Sequence, residues 1–110
     1  MTLFNSDYIE ISSWEQFQKL SSLYIGFCVF VYSDSISWSH KILFDDTING
    51  FFSKNLTKLF TINLSKYPDF EEYLDINIFP TFLVYRNKSQ ITQVSPLFEN
   101  LTDILQEIIC

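Results

Sequence analysis

Alanine is missing from this sequence altogether, while Ile, Phe, Asn, Ser and Tyr are used heavily. That bias reads as AT-rich coding and carries no functional message. Arginine occurs once, as Arg86, and the formal charge is −6. This argues against a nucleic-acid partner, because phosphate binding needs clustered Lys and Arg. A broadly acidic surface also repels anionic membranes, so no membrane partner is expected. No apolar run approaches the roughly 20 residues of a membrane span. The opening stretch "MTLFNSDYIEISSWEQ" has no basic region leading into an apolar one. It does not read as a signal peptide, and a cytoplasmic protein is expected. Cysteine occurs only at Cys28 and Cys110, too few for a disulfide framework. Together with the single histidine, His40, these give no tetrahedral metal-ligand spacing, and neither metal nor cofactor is expected. Four N-x-S/T sequons, at Asn55, Asn63, Asn87 and Asn100, are read as chance in an Asn/Ser-rich chain.

What is present is core-forming material. Hydrophobic residues make up 47% of the 110 positions and include 12 Phe. That suits one compact domain over residues 1–110. "DYIEIS" alternates as a short strand, with Ile9 and Ile11 on one face. "SSWEQFQKL" opens a helix that Ser12 or Ser13 can cap, with Glu15 or Gln16 completing a capping box. The run from Leu23 to Tyr32, "LYIGFCVFVY", fits a central strand buried on both faces. Leu43, Phe44, Ile48, Phe51 and Phe52 then fall at helical spacing between about Ser37 and Lys54, and Gly50 could end or bend that helix. "LFTINLS" reads as a strand, and "PDFEEYLD" as a short helix with Pro68 at its first position. Thr81–Tyr85 and "QITQVS" read as a hairpin. Leu97, Leu101, Ile104, Leu105 and Ile108 mark a final amphipathic helix. The order β-α-β-α-β-α-β-β-α predicts an α/β fold with a central mixed sheet and helices on both faces.

Two stretches carry the functional question. "VFVYSDSISWSHKIL" crosses the junction from the central strand to the second helix, and "INIFPTFLVYRN" places Pro80 immediately before a strand. On these two segments and their spacing, with "FTINLSKYPDFEEYLDINIFPTF" between them, the whole chain resembles the thioredoxin superfamily. The resemblance implies a thioredoxin fold in which Pro80 is a cis-proline flanked by Phe79 and Thr81. It also exposes a departure. Redox members carry W-C-x-x-C-K at the start of the second helix. Aligning on Lys41 puts Ser37 and His40 at the two cysteine positions; a shift of one residue puts Trp38 and Lys41 there. Both thiols are absent in either register. The family's buried carboxylate falls on Val31 or Tyr32, and its late hairpin glycine near Ser95.

Dithiol exchange needs an activated thiolate and a resolving thiol, and serine supplies neither. Ser37 and His40 could approach one another at i,i+3, but a nucleophilic serine also needs a base held by an orienting partner and an oxyanion hole, and no G-x-S-x-G elbow is present. Ser37 as a helix cap and His40 as a first-turn surface residue is the simpler account. The degenerate loop Ser37, Trp38, Ser39 and His40 is therefore assigned no catalysis. The resemblance leaves binding: Ile36, Trp38, Phe79, Pro80 and Thr81 would form a shallow groove for a protein or peptide, or for a second copy of the chain. Trp38 folded back onto the domain would close it. The competing reading is a single-thiol enzyme or redox-sensitive protein using Cys110 or Cys28.

Overall fold

In a computed structural model of the chain, residues 8–36, 38, 46–54, 58–97 and 101–109 are described. The elements are β1 (Tyr8–Glu10), α1 (Trp14–Leu23), β2 (Gly26–Tyr32), α2 (Asp46–Lys54), β3 (Lys58–Asn63), α3 (Phe70–Tyr73), β4 (Thr81–Arg86), β5 (Ser89–Val94) and α4 (Leu101–Ile109). The strands form one sheet in the order β1-β3-β2-β4-β5. β1, β3 and β2 are parallel, β4 runs antiparallel to β2, and β5 antiparallel to β4. Crossover helices join the parallel strands, and a tight turn joins β4 to β5. Both residues of that turn, Asn87 and Lys88, have positive φ (53° and 70°), the twist that suits a two-residue hairpin.

β2 explains why its run is apolar throughout. Phe27, Val29 and Val31 enter one core with Ile11, Phe17, Phe60, Ile62, Phe70 and Leu83. Cys28, Phe30 and Tyr32 enter the other, with Phe51, Phe52, Phe82, Leu101 and Leu105. The period-2 alternation of the strand divides its side chains between α1 and α3 on one face and α2 and α4 on the other. Aromatic pairs tie β2 to β4 across the sheet: Phe27 stacks on Tyr85 with ring centroids 5.1 Å apart, and the Phe30 and Phe82 centroids are 4.8 Å apart.

α1 begins where the sequence placed it. Ser13 caps it by accepting from the Gln16 N–H, and the Gln16 side chain accepts in return from the Ser12 N–H at 2.9 Å. Other elements differ from expectation. α3 is one turn long and starts at Phe70; Pro68 precedes it, its carbonyl accepting from the Glu71 N–H at 3.1 Å. That i→i+3 bond makes a tight turn rather than a first α-helical position. Leu97 is exposed in a turn ahead of α4, its N–H bonded to Ser95 Oγ at 3.2 Å, so the local serine replaces the helix there. Ile9 is exposed although Ile11 is buried, because β1 is an edge strand. Gly50 lies inside α2. The expected first turns of that helix, with Leu43 and Phe44, fall outside the described residues.

Candidate functional site

Parallel β2 and β3 end together, with Tyr32 opposite Asn63, and antiparallel β4 begins beside them, with Val31 opposite Thr81. The sheet therefore brings the segment after Tyr32 and the Phe79–Pro80 segment to one end of the molecule. On its β3 side the first segment is held by polar groups. Ser33 Oγ lies 2.8 Å from Ser35 Oγ and 2.7 Å from Ser65 Oγ. The Asp34 N–H donates to Ser65 Oγ, Asn63 Nδ2 donates to Asp34 Oδ1 at 3.1 Å, and the Ser65 N–H donates to Asn63 Oδ1 at 2.9 Å. These hydroxyls face one another, and none of these bonds joins a serine to a histidine or carboxylate that could take its proton. The arrangement fixes a loop.

On the β4 side, the Phe79–Pro80 peptide bond is cis. Pro80 is buried, whereas Phe79 is 38% exposed and Ile78 beside it is also exposed. Among the described residues, neither the N–H nor the C=O of Phe79 has a hydrogen-bond partner within the chain. The segment leading to Phe79 is pinned to β5 by Gln93. Its Oε1 accepts from the N–H groups of Asn77 (2.9 Å) and Ile78 (3.1 Å), and its Nε2 donates to the Asp75 carbonyl. Gln90 Nε2 adds a second bond to that carbonyl at 3.2 Å. An exposed ring and an unpaired backbone amide are thus presented on a segment that cannot drift.

Trp38 is 37% exposed and Ile36 is half-buried, so the indole is open to solvent. Thr81 is different: it is fully buried, with Oγ1 donating toward the Phe82 and Val94 carbonyls, so its side chain supports the segment from within. Ser37, Ser39, His40 and Lys41 lie outside the described residues. Of the two positions considered for a buried carboxylate, Tyr32 is on the face that α2 covers and Val31 on the opposite one.

Cys28 is fully buried in the α2/α4 core, and burial pushes its thiol up from 9.0 to about 12. A neutral, solvent-excluded thiol is no nucleophile, which removes Cys28 from the single-thiol reading. Cys110 lies outside the described residues; α4 ends at the other end of the sheet, where Arg86 Nη2 donates to the Ile108 carbonyl at 2.9 Å. Among the described residues no group of metal-ligating side chains converges, and no helix is long and apolar enough to cross a membrane.

Sequence reasoning missed Gln93, Asn63, Ser65 and Ser33. Gln93 reads locally as a solvent-side residue of an alternating strand, and nothing in its neighbourhood announces a partner 15–18 residues upstream.

No family model matches the sequence, and no curated protein is similar to it in sequence. Solved structures are similar in shape. A mutant thioredoxin from Halobacterium salinarum superposes with a TM-score of 0.77 at 12% identity, covering 99% of this chain and 93% of that one. Plasmodium falciparum thioredoxin gives 0.73 at 16% identity over 91% and 94%. A designed protein gives 0.77 at 16% identity over 94% and 99%. The chain has the thioredoxin fold. Shape alone assigns no chemistry.

Proposed function

We propose that this domain is a redox-inactive binding module, an adaptor or accessory subunit that takes an extended polypeptide across the Phe79–Pro80 segment. The observation that carries the reading is Phe79: an exposed ring whose backbone N–H and C=O are unpaired and whose segment is clamped by Gln93. An incoming strand gains main-chain hydrogen bonds there without displacing any internal ones, and the exposed Phe79 and Trp38 are its aromatic anchors in this reading. A segment already ordered loses little further entropy on binding. The two cysteine positions of the redox motif hold no thiol in either register, and Cys28 is sealed in the core.

The test uses a permanently unfolded polypeptide, such as reduced and carboxymethylated lactalbumin, titrated into labelled protein. The expected result is amide shifts at Asn77, Ile78, Phe79 and Thr81, with binding weakened about 30-fold by each of Trp38→Ala and Phe79→Ala. Shifts spread elsewhere, with both variants binding as wild type, would remove the reading. So would reduction of insulin disulfides by the protein with a thioredoxin reductase, if Cys28→Ser with Cys110→Ser abolished it.

A further inference from the structure

The end of the domain opposite the Phe79–Pro80 segment has a different character. The turn from α1 into β2 projects Leu23 and Ile25, which are 73% and 75% exposed, more than any other large hydrophobic residue described. Tyr24 between them turns inward, its ring 5.7 Å from Phe60, so the two aliphatics stand out as a pair. Cations surround them. Lys19 is one helical turn before Leu23. Gly26 is paired with Arg86, the Asn87 N–H donates to the Ile25 carbonyl at 2.8 Å, and Lys88 follows in the same turn. Phe27 is paired with Lys58 at the start of β3. Lys19, Lys58, Arg86 and Lys88 are all exposed. Lys66 pairs with Glu10 at 3.7 Å at the other end, and among the described residues none of these four cations makes an ion pair with a carboxylate. Two described carboxylates lie toward this end: Glu107 in the last turn of α4, and Asp75, which lines one cavity with Lys88 and Gln90. Glu10, Glu15, Asp34 and Asp103 sit toward the opposite end, at the close of β1 and β2 and in the first turns of α1 and α4.

The overall charge of −6 therefore describes neither end. The molecule measures 31 × 30 × 28 Å, several times the Debye length of about 8 Å at physiological salt. At that separation the acidic end is screened from whatever meets the basic one. Neither Leu23 nor Ile25 lines the cavity beside Trp14 and Tyr73 or the one beside Asn77 and Ile78. Two projecting side chains fall well short of the roughly 800 Å² per partner that a stable protein interface buries. A bilayer surface closes around a small apolar projection, and anionic headgroups suit a ring of unpaired cations.

We propose that this end docks on an anionic bilayer surface, with Leu23 and Ile25 entering the headgroup region and Lys19, Lys58, Arg86 and Lys88 facing the lipid anions. The domain then lies with its Phe79–Pro80 segment directed away from the membrane. The inference is independent of the polypeptide-binding reading.

Co-sedimentation of the full chain with vesicles tests it. Wild type should pellet with phosphatidylcholine vesicles containing phosphatidylserine, remain free with phosphatidylcholine alone, and release at high salt, where the Debye length approaches about 3 Å. Lys58→Glu with Lys88→Glu should weaken binding more than about tenfold, and Leu23→Ser with Ile25→Ser should weaken it without altering its salt response. These side chains are exposed, so urea unfolding of each variant should match wild type. Phe79→Ser, at the far end, should pellet as wild type does. The proposal fails if wild type stays in the supernatant at low salt, or if either double variant binds unchanged. If a soluble glutamate- and leucine-rich peptide binds while vesicles do not, the patch belongs to an acidic protein partner and the bilayer assignment is overturned.

Discussion

Replacing Gln93 with Ala removes three hydrogen bonds from the segment that presents Phe79. Such bonds contribute about 0.5–1.5 kcal/mol each net of solvent exchange and side-chain ordering. These are solvent-exposed, so water replaces part of what is lost and the lower end of the range applies. The sum is then about 1.5 kcal/mol. With a urea m-value of about 1.5 kcal/mol/M for a domain of this size, the unfolding midpoint should fall by about 1 M, and the thermal midpoint by about 6 °C. Hydrogen exchange gives the local readout. The Asn77 and Ile78 amides lose their acceptor and should exchange at least about tenfold faster, while β2 amides accelerate only as far as global stability falls. Gln93→Glu separates the parts of the clamp. Its carboxylate still accepts from both amides but cannot donate to the Asp75 carbonyl, so protection at Asn77 and Ile78 should persist while the midpoint falls partway. Equal exchange of the Asn77 and Ile78 amides in wild type and Gln93→Ala would refute the clamp.

Other expectations follow from particular groups. The Cys28 thiol titrates at 9.0 when unfolded and at about 12 when folded, so folding favours its protonated form. Its contribution is fully present below pH 9 and is lost as pH rises toward 12, at up to about 1.4 kcal/mol per pH unit. A urea series across that interval should be flatter for Cys28→Ala between pH 9 and 10; an identical slope would place the thiol in contact with solvent. Tyr85, pushed up to about 12 by burial against the weaker opposing effect of Gln90, should add to the decline above pH 10. In native protein a thiol reagent should modify Cys28 no faster than the chain unfolds. Arg86→Ala removes the bond to the Ile108 carbonyl and a positive charge at the end of α4; a loss of about 1 kcal/mol is expected, seen as earlier thermal loss of helical signal. If the domain pairs with itself through Trp38, sedimentation should show a dimer that Trp38→Ala converts to monomer; an unchanged monomer in both would exclude that pairing.

Legibility in the sequence followed range. β2 was plain because every residue of Phe27–Tyr32 is needed by one core or the other, and the run has no polar position to interrupt it. α1 was plain because its cap is made by residues three and four apart. Pro80 was plain because its setting, Phe before and Thr with an apolar strand after, is local. Gln93 was not, because a glutamine whose partners lie in another loop looks like any solvent-side residue. The serines of Ser33, Ser35 and Ser65 were equally silent, since only the parallel pairing of β2 with β3 brings them together. The Thr81 side chain was also not legible. Its place beside Pro80 suggested a contact residue, but the strand's alternation turns it into the interior.

The register of the outer strand has a consequence for how this chain meets other chains. Val84 pairs with Thr92 and Tyr85 with Gln90, which leaves Ile91 as an extra residue bulged from β5. A bulge bends the strand and breaks the even spacing of its outward amides and carbonyls. A straight, apolar edge is a template on which like edges stack into growing ladders. Ile91 is exposed on just such an edge, and the kink beneath it spoils the template. On its β5 side the sheet is left with a margin that resists polymerisation.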